Sequence, residues 1–229
     1  MGNIRIQVMS QFPGAKFHGE GLVCVRGERM VFRGLDFQVE PGGALILIGP
    51  NGAGKSSLLR LMAGLLKPYD GKLLWDGEDA LDDMDEHGAK LHYVGHHDAV
   101  KPVLTANENI RFWAELRGVG AEGVERALDA LDIKHLYDMP GQFLSAGQKR
   151  RVNLARIIAA PAPLWLLDEP TTALDKATIK RLEQAIQAHR DAGGMVVLST
   201  HSDVVMPGAK VLDLSQFAAT VSFDEAEMA

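Results

Sequence analysis

Eight consecutive residues, Gly49, Pro50, Asn51, Gly52, Ala53, Gly54, Lys55 and Ser56, satisfy the spacing GxxxxGK[ST]. Glycines let a backbone curl closely enough for successive N–H groups to point at one centre, and the start of a following helix adds positive potential there. A lysine at this place reaches the β- and γ-phosphates, and a serine hydroxyl enters the shell of a magnesium ion. The chemistry is nucleoside triphosphate binding, with Lys55 and Ser56 as the working side chains and Ser57 next along the phosphate path. A glycine-rich turn ending in Lys-Ser by chance would lack the flanking strand and helix that the pattern has here.

Further along, LWLLDE at 164–169 places two carboxylates at the end of an apolar strand. In open α/β sheets that is where the ligand crevice lies. Asp168 is expected to hold the metal, directly or through water, and Glu169 to polarise the water that attacks the γ-phosphate. Taken alone, such a pair is a solvated turn or a helix cap; beside a phosphate loop it reads as catalytic. LSAGQ at 144–148 precedes a helix expected to begin near Lys149, so Ser145 and the N–H of Gly147 can bind an anion. By itself, Ser145 is a good N-cap.

The elements that must position these groups follow from periodicity. Residues 21–25 and 30–37 alternate as two short strands around a turn at Arg26, Gly27 and Glu28. Residues 44–48 form a buried strand, the phosphate loop follows, and 57–63 have helical spacing up to a stop at Gly64. Residues 72–75 and 90–94 are strand-like. From about 105 to 160 the pattern is helical, with Ile110, Trp113 and Leu116 expected on one face and Val124, Leu128 and Leu131 on another. Strands at 164–167 and 195–198 flank a helix at 176–189 and restore an alternating α/β order, which implies a largely parallel sheet.

A chain of 229 residues with 46% hydrophobic and 24% charged side chains suits one domain, or one domain with an embedded lobe. A net charge of -6 speaks against broad nucleic-acid binding. The single Cys24 excludes an internal disulfide and a cysteine metal cluster. The apolar runs are far short of the roughly 20 residues that cross a bilayer, and the N-terminal 20 residues have no secretory pattern, so a cytosolic location is expected.

LSAGQ closely resembles the LSGGQ signature of the ABC ATPases, and the ordered motifs extend the resemblance over about residues 21–215. The resemblance implies one nucleotide-binding domain across 1–229: a phosphate-loop NTPase with a RecA-like, mostly parallel sheet, an antiparallel β portion and a helical lobe inserted at roughly 97–160. It implies ATP and Mg²⁺ as cofactors and a second copy of the chain in an ATP-sandwich dimer, in which Ser145 and Gly147 complete the partner's site. Ala173, Leu174 and Asp175 resemble the loop through which the two sites communicate, and His201 matches the switch histidine that contacts the γ-phosphate. Two positions depart from the family. Arg26 stands where an aromatic residue usually stacks on adenine; a guanidinium can stack likewise, or be a solvated turn charge. His96 stands where a glutamine usually links Mg²⁺ to the helical lobe. The segment Tyr93, Val94, Gly95, His96 and His97, the segment Arg26, Gly27, Glu28 and Arg29, and the basic run at 149–151 resemble the ATP-binding subunits of the haem exporters of cytochrome c maturation. This implies integral membrane permease subunits as partners, a haem-handling chaperone indirectly, and a place at the cytoplasmic face of the inner membrane. Transport of haem and release of a haem-loaded chaperone are both consistent with it. An ABC transporter for another substrate is the alternative; soluble ABC ATPases of DNA or ribosomes usually carry coiled-coil insertions or two fused domains, and neither pattern is present.

Overall fold

The computed structural model describes residue 12, residues 14–200 and residues 204–218. Its strands are β1 (Phe17–Arg26), β2 (Arg29–Val39), β3 (Ala44–Ile48), β4 (Asp70–Trp75), β5 (Glu78–Asp79), β6 (Leu91–Val94), β7 (Leu164–Asp168), β8 (Met195–Ser199) and β9 (Lys210–Asp213). The helices are α1 (Lys55–Met62), α2 (Met84–Ala89), α3 (Ala106–Leu116), α4 (Ala121–Ala130), α5 (Ala146–Ala159) and α6 (Lys176–Asp191). The first hairpin and β4–β5 form an antiparallel sheet in the order β2-β1-β4-β5, and the other five strands form a wholly parallel sheet in the order β6-β7-β8-β3-β9.

Both faces of the parallel sheet are covered, so its central strands β3, β7 and β8 are largely apolar rather than alternating with polar residues. The period of two decides which core each side chain joins. Leu164, Leu166, Met195, Val197, Leu45 and Leu47 point toward α1 and the antiparallel sheet, where they meet Phe17, Phe32, Leu35 and Leu58. Trp165, Leu167, Val196 and Leu198 point the other way, into a second core with Ile110, Leu128, Leu154 and Ile186 from the helices.

The inserted lobe is α3, α4 and α5. Val124, Leu128 and Leu131 are buried together, as their spacing predicts. The expected α3 face is corrected: Ile110 is buried, but Leu116 is 68% exposed, and the inward stripe is Ala106, Asn109, Ile110 and Ala114. Steps of four residues advance a helix by about 400° and keep Ala106, Ile110 and Ala114 along one stripe, whereas Leu116 is the last residue of α3 and its side chain is exposed where the helix ends. The helix expected near Lys149 begins at Ala146, because Ser145 and Gln148 close a capping box that starts it three residues earlier. The edge strand β9, the short β5 and the helix α2 were not anticipated by the sequence pattern.

Candidate functional site

The phosphate loop leaves the carboxyl end of β3 and enters α1 at Lys55. Its turn depends on left-handed backbone at Gly49, Gly52 and Gly54, with φ of 137°, 83° and 100°. At Gly54 glycine is required twice over, since a Cβ would stand 2.6 Å from Val31 Cγ1 of β2. The first residues of α1 have no side-chain cap, so their N–H groups face the loop's concavity. Lys55 is buried, and its Nζ donates to the carbonyls of Gly49 at 2.8 Å and Pro50 at 3.3 Å, spanning the loop from within.

A cleft of about 540 Å³ opens above this loop. It brings together Asn51, Gly52, Gly54, Lys55, Ser56 and Ser57 from the loop and helix, Arg26 from the hairpin tip, His96 from the segment after β6, and Glu169 from the end of β7. Arg29 and Thr172 also line it; the sequence named Arg29 only as part of the segment at 26–29 that carries the family resemblance, and Thr172 not at all. Arg29 is legible only once register is known: it is the cross-strand partner of Arg26 at the hairpin turn. Gly49, Pro50 and Ala53 form the back of the loop rather than the cleft wall. His96 is exposed, with its ring 5.5 Å from that of His97 in an edge-on arrangement. His201 lies outside the described residues.

Asp168 is 1% exposed at the end of β7. Its Oδ1 accepts a 2.7 Å hydrogen bond from the Ser199 hydroxyl of β8, while its Oδ2 is buried with no hydrogen-bond partner among the described residues. A buried carboxylate oxygen left without a donor carries a desolvation cost of several kcal/mol, and a metal ion or its bound water would relieve it. This donor set suits Mg²⁺, which takes one or two protein oxygens plus phosphates and water; among the described residues there is no cluster of three or more His, Cys, Asp or Glu side chains.

Glu169 follows with φ of 50°, a left-handed conformation that costs a non-glycine residue about 1–2 kcal/mol. Its N–H donates to the Ser199 carbonyl and hydroxyl oxygens, each at 3.1 Å. Its carbonyl accepts at 2.7 Å from Arg150 of α5. Ser199 and Arg150 thus hold the turn that aims Glu169 at the cleft; Arg150 stood in the sequence only as one of the basic run at 149–151, with no role assigned, and Ser199 was not marked.

Ser145, Gly147 and Asp175 do not line the cleft. Ser145 is exposed as the N-cap of α5, where its hydroxyl accepts from the Gln148 N–H at 3.3 Å and its N–H donates to the Gln148 side chain at 2.8 Å. A Cβ on Gly147 would meet the carbonyl oxygen of Ala173 at 2.7 Å, so the signature packs directly on the loop at 173–175. Asp175 caps α6, accepting from the Thr178 N–H at 2.7 Å, and hydrogen bonds from Thr178 hold its carboxyl below the usual range.

A phosphate loop on a parallel sheet, a carboxylate pair two strands away, and a signature serine presented outside the cleft on an inserted helical lobe define a nucleotide-binding domain of the ABC class. The ABC transporter family model matches residues 32–172. The chain is 61% identical over 209 residues to the cytochrome c biogenesis ATP-binding export protein CcmA of Rhodospirillum rubrum, covering 90% of each chain. It is 61% identical over 206 residues to CcmA of Paramagnetospirillum magneticum, covering 88% of this chain and 95% of that one. An ABC transporter ATP-binding protein from Pyrococcus furiosus shares the fold, with a TM-score of 0.78 at 23% identity over 89% of this chain and all of that one. The chain belongs to the ABC transporter family, as an ATPase subunit of the CcmA kind.

Proposed function

We propose that this chain binds ATP with Mg²⁺ in the cleft above Gly49–Ser56 and hydrolyses it to drive the membrane export system that supplies haem for c-type cytochromes. The species moved or released is haem or a haem-loaded chaperone. The observation that carries the reading is the convergence of Lys55, Ser56 and Glu169 on one cleft in a chain 61% identical to two CcmA export proteins.

In this reading the loop N–H groups and Lys55 cradle the phosphates, while Ser56 and the unpartnered Oδ2 of Asp168 hold Mg²⁺. Bound there, Mg²⁺ would offset negative charge on the phosphates. Glu169 orients the attacking water and takes its proton, and His201 contacts the γ-phosphate. His96 reaches the metal's water shell. Arg26, with Arg29 beside it, lies against the base. Two chains pack head to tail, so that Ser145 and Gly147 of one close the cleft of the other and Asp175 communicates between them; the exposure of Ser145 on this chain supports that arrangement.

Among the described residues no helix is long and apolar enough to cross a membrane. In this reading separate permease subunits supply the membrane-embedded part of the system, and this chain works at its cytoplasmic face. A cleft of about 460 Å³ in the lobe, lined by Val100, Pro102, Leu104, Phe112 and Trp113, is the proposed docking place. Phe112 is 47% exposed there, while Trp113 is half-buried under the Arg156 guanidinium, 4.5 Å from its ring centre.

The decisive experiment is Glu169→Gln. It is expected to abolish turnover while leaving ATP binding and ATP-dependent dimerisation intact, read by phosphate release and light scattering; sustained hydrolysis would remove Glu169 from the role of base.

A further inference from the structure

One side chain outside the cleft touches two of the segments that build it. Arg150, the fifth residue of α5, is 3% exposed and has every N–H of its guanidinium engaged. Its Nε donates to the Pro170 carbonyl at 3.2 Å, one terminal nitrogen to the carbonyls of Asp168 at 2.9 Å and Glu169 at 2.7 Å, and the other to the Gly95 carbonyl at 2.9 Å and the Asp98 carboxylate at 3.2 Å. Five donors meet five acceptors, which is the full capacity of the group.

The acceptors fall in two groups. Three are consecutive carbonyls of residues 168–170, the turn in which Glu169 takes its left-handed conformation. The other two flank His96 in the segment that leads from β6 toward the lobe. Asp98 is held a second time from α5, by the Asn153 amide at 3.2 Å. A planar fork of donors fixes both sets in register with one another, and a lysine, with three donors on a flexible stem, has no means of doing the same.

We propose that Arg150 is a positioning residue for Glu169: it sets the orientation of the base by holding the carbonyls on either side of it, and it makes that orientation depend on where residues 95–98 lie. A shift of the 95–98 segment, which runs on to the lobe cleft at 99–113, then moves the base without moving the phosphate loop. The proposal rests on the reading of Glu169 as the base.

The test compares Arg150→Lys, Asp98→Asn, Glu169→Gln and the Arg150→Lys/Glu169→Gln double variant in the full chain. Arg150→Lys is expected to lower kcat at least tenfold while KM for ATP and the affinity for a fluorescent ATP analogue change less than threefold. In single-turnover measurements it is expected to add less than threefold to the loss already caused by Glu169→Gln, because both act on one function. Wild-type kcat in Arg150→Lys, a parallel loss of ATP affinity, or full multiplication of the two losses overturns the proposal and marks Arg150 as a structural ion only. Should Arg150→Lys fail to fold, Asp98→Asn decides: a threefold or greater fall in kcat at unchanged KM supports the coupling, and unchanged kcat refutes it. Sustained turnover by Glu169→Gln alone would instead overturn the base itself, a separate outcome.

Discussion

Ser199 lies on β8, between the strand that ends in the phosphate loop and the strand that ends in Asp168 and Glu169. Its hydroxyl serves both carboxylate residues, donating to Asp168 and receiving the N–H of Glu169. Ser199→Ala should therefore strip the buried Asp168 of the hydroxyl that donates to its Oδ1, costing about 1–3 kcal/mol of stability, and should lower kcat more than it raises KM for ATP. Thermal melting and steady-state ATPase assays measure the two effects, and a variant that loses ATP affinity instead would contradict this. At the other end of the cleft, Arg26→Ala and Arg29→Ala should each weaken ATP binding by roughly 2- to 30-fold, the range of about 0.5–2 kcal/mol for a cation stacked on a ring face. Equilibrium titration with ATP tests both, and unchanged affinity in both variants would place the adenine elsewhere. Contiguous residues of the site were readable directly, because the loop from Gly49 to Ser56 and the Asp168–Glu169 pair each carry their chemistry within a few positions. The roles of Ser199, Arg29 and Arg150 were not, although 26–29 and 149–151 carried the resemblance, since those roles come from strand order, cross-strand register and hydrogen bonds between distant segments.

The lobe carries two capping boxes of the same construction, Thr105 with Glu108 on α3 and Ser145 with Gln148 on α5. They provide an internal control for what the signature serine does beyond starting a helix. Thr105→Ala and Ser145→Ala should each cost about 1 kcal/mol of stability. Only Ser145→Ala should also impair ATP-dependent dimerisation, as read by light scattering; equal dimerisation in both would reduce Ser145 to a cap. Element existence was clear where periodicity is strong, as in β3, α1, β7, α6 and β8. It failed where side chains give no periodic signal: the inward face of α3 is made largely of Ala106, Asn109 and Ala114, two small residues and an amide, so the larger Leu116 misled. Asn109 belongs inside because its amide donates to the carbonyls of Lys101, Leu104 and Thr105, tying down the loop before α3. The edge strand β9, with two exposed and two half-buried residues, offered no apolar run to read.

At the scale of the whole molecule, the buried histidines His87, His92 and His189 are held below their ordinary pKa. Burial is the main cause in each: it pushes His92 down to about 3 and His189 down to about 4, and lowers His87 as well. Unfolded, each takes up a proton near 6.5. Their effect on stability is absent above that value and grows as pH falls toward the folded pKa, because only the unfolded chain is then binding protons. At pH 5 the loss is of the order of 2 kcal/mol for each of His92 and His189, so the melting temperature should drop steeply between pH 7 and pH 5. In His189→Gln the slope should flatten; an unaltered slope would mean that His189 is not held neutral. The fold class was legible from the alternating pattern, whereas the strand order was not, since apolar strands that are buried on both faces do not indicate their neighbours. That order governs when an ATP site can exist during synthesis. The strand beneath the phosphate loop, β3, pairs only with β8 and β9, so Ala44 waits for Val196 and Ile48 for Asp213. A growing chain on the ribosome therefore displays its nucleotide motif before the two strands that flank β3 have been made, and the sheet beneath the loop is completed only after Lys210–Asp213 has been synthesised.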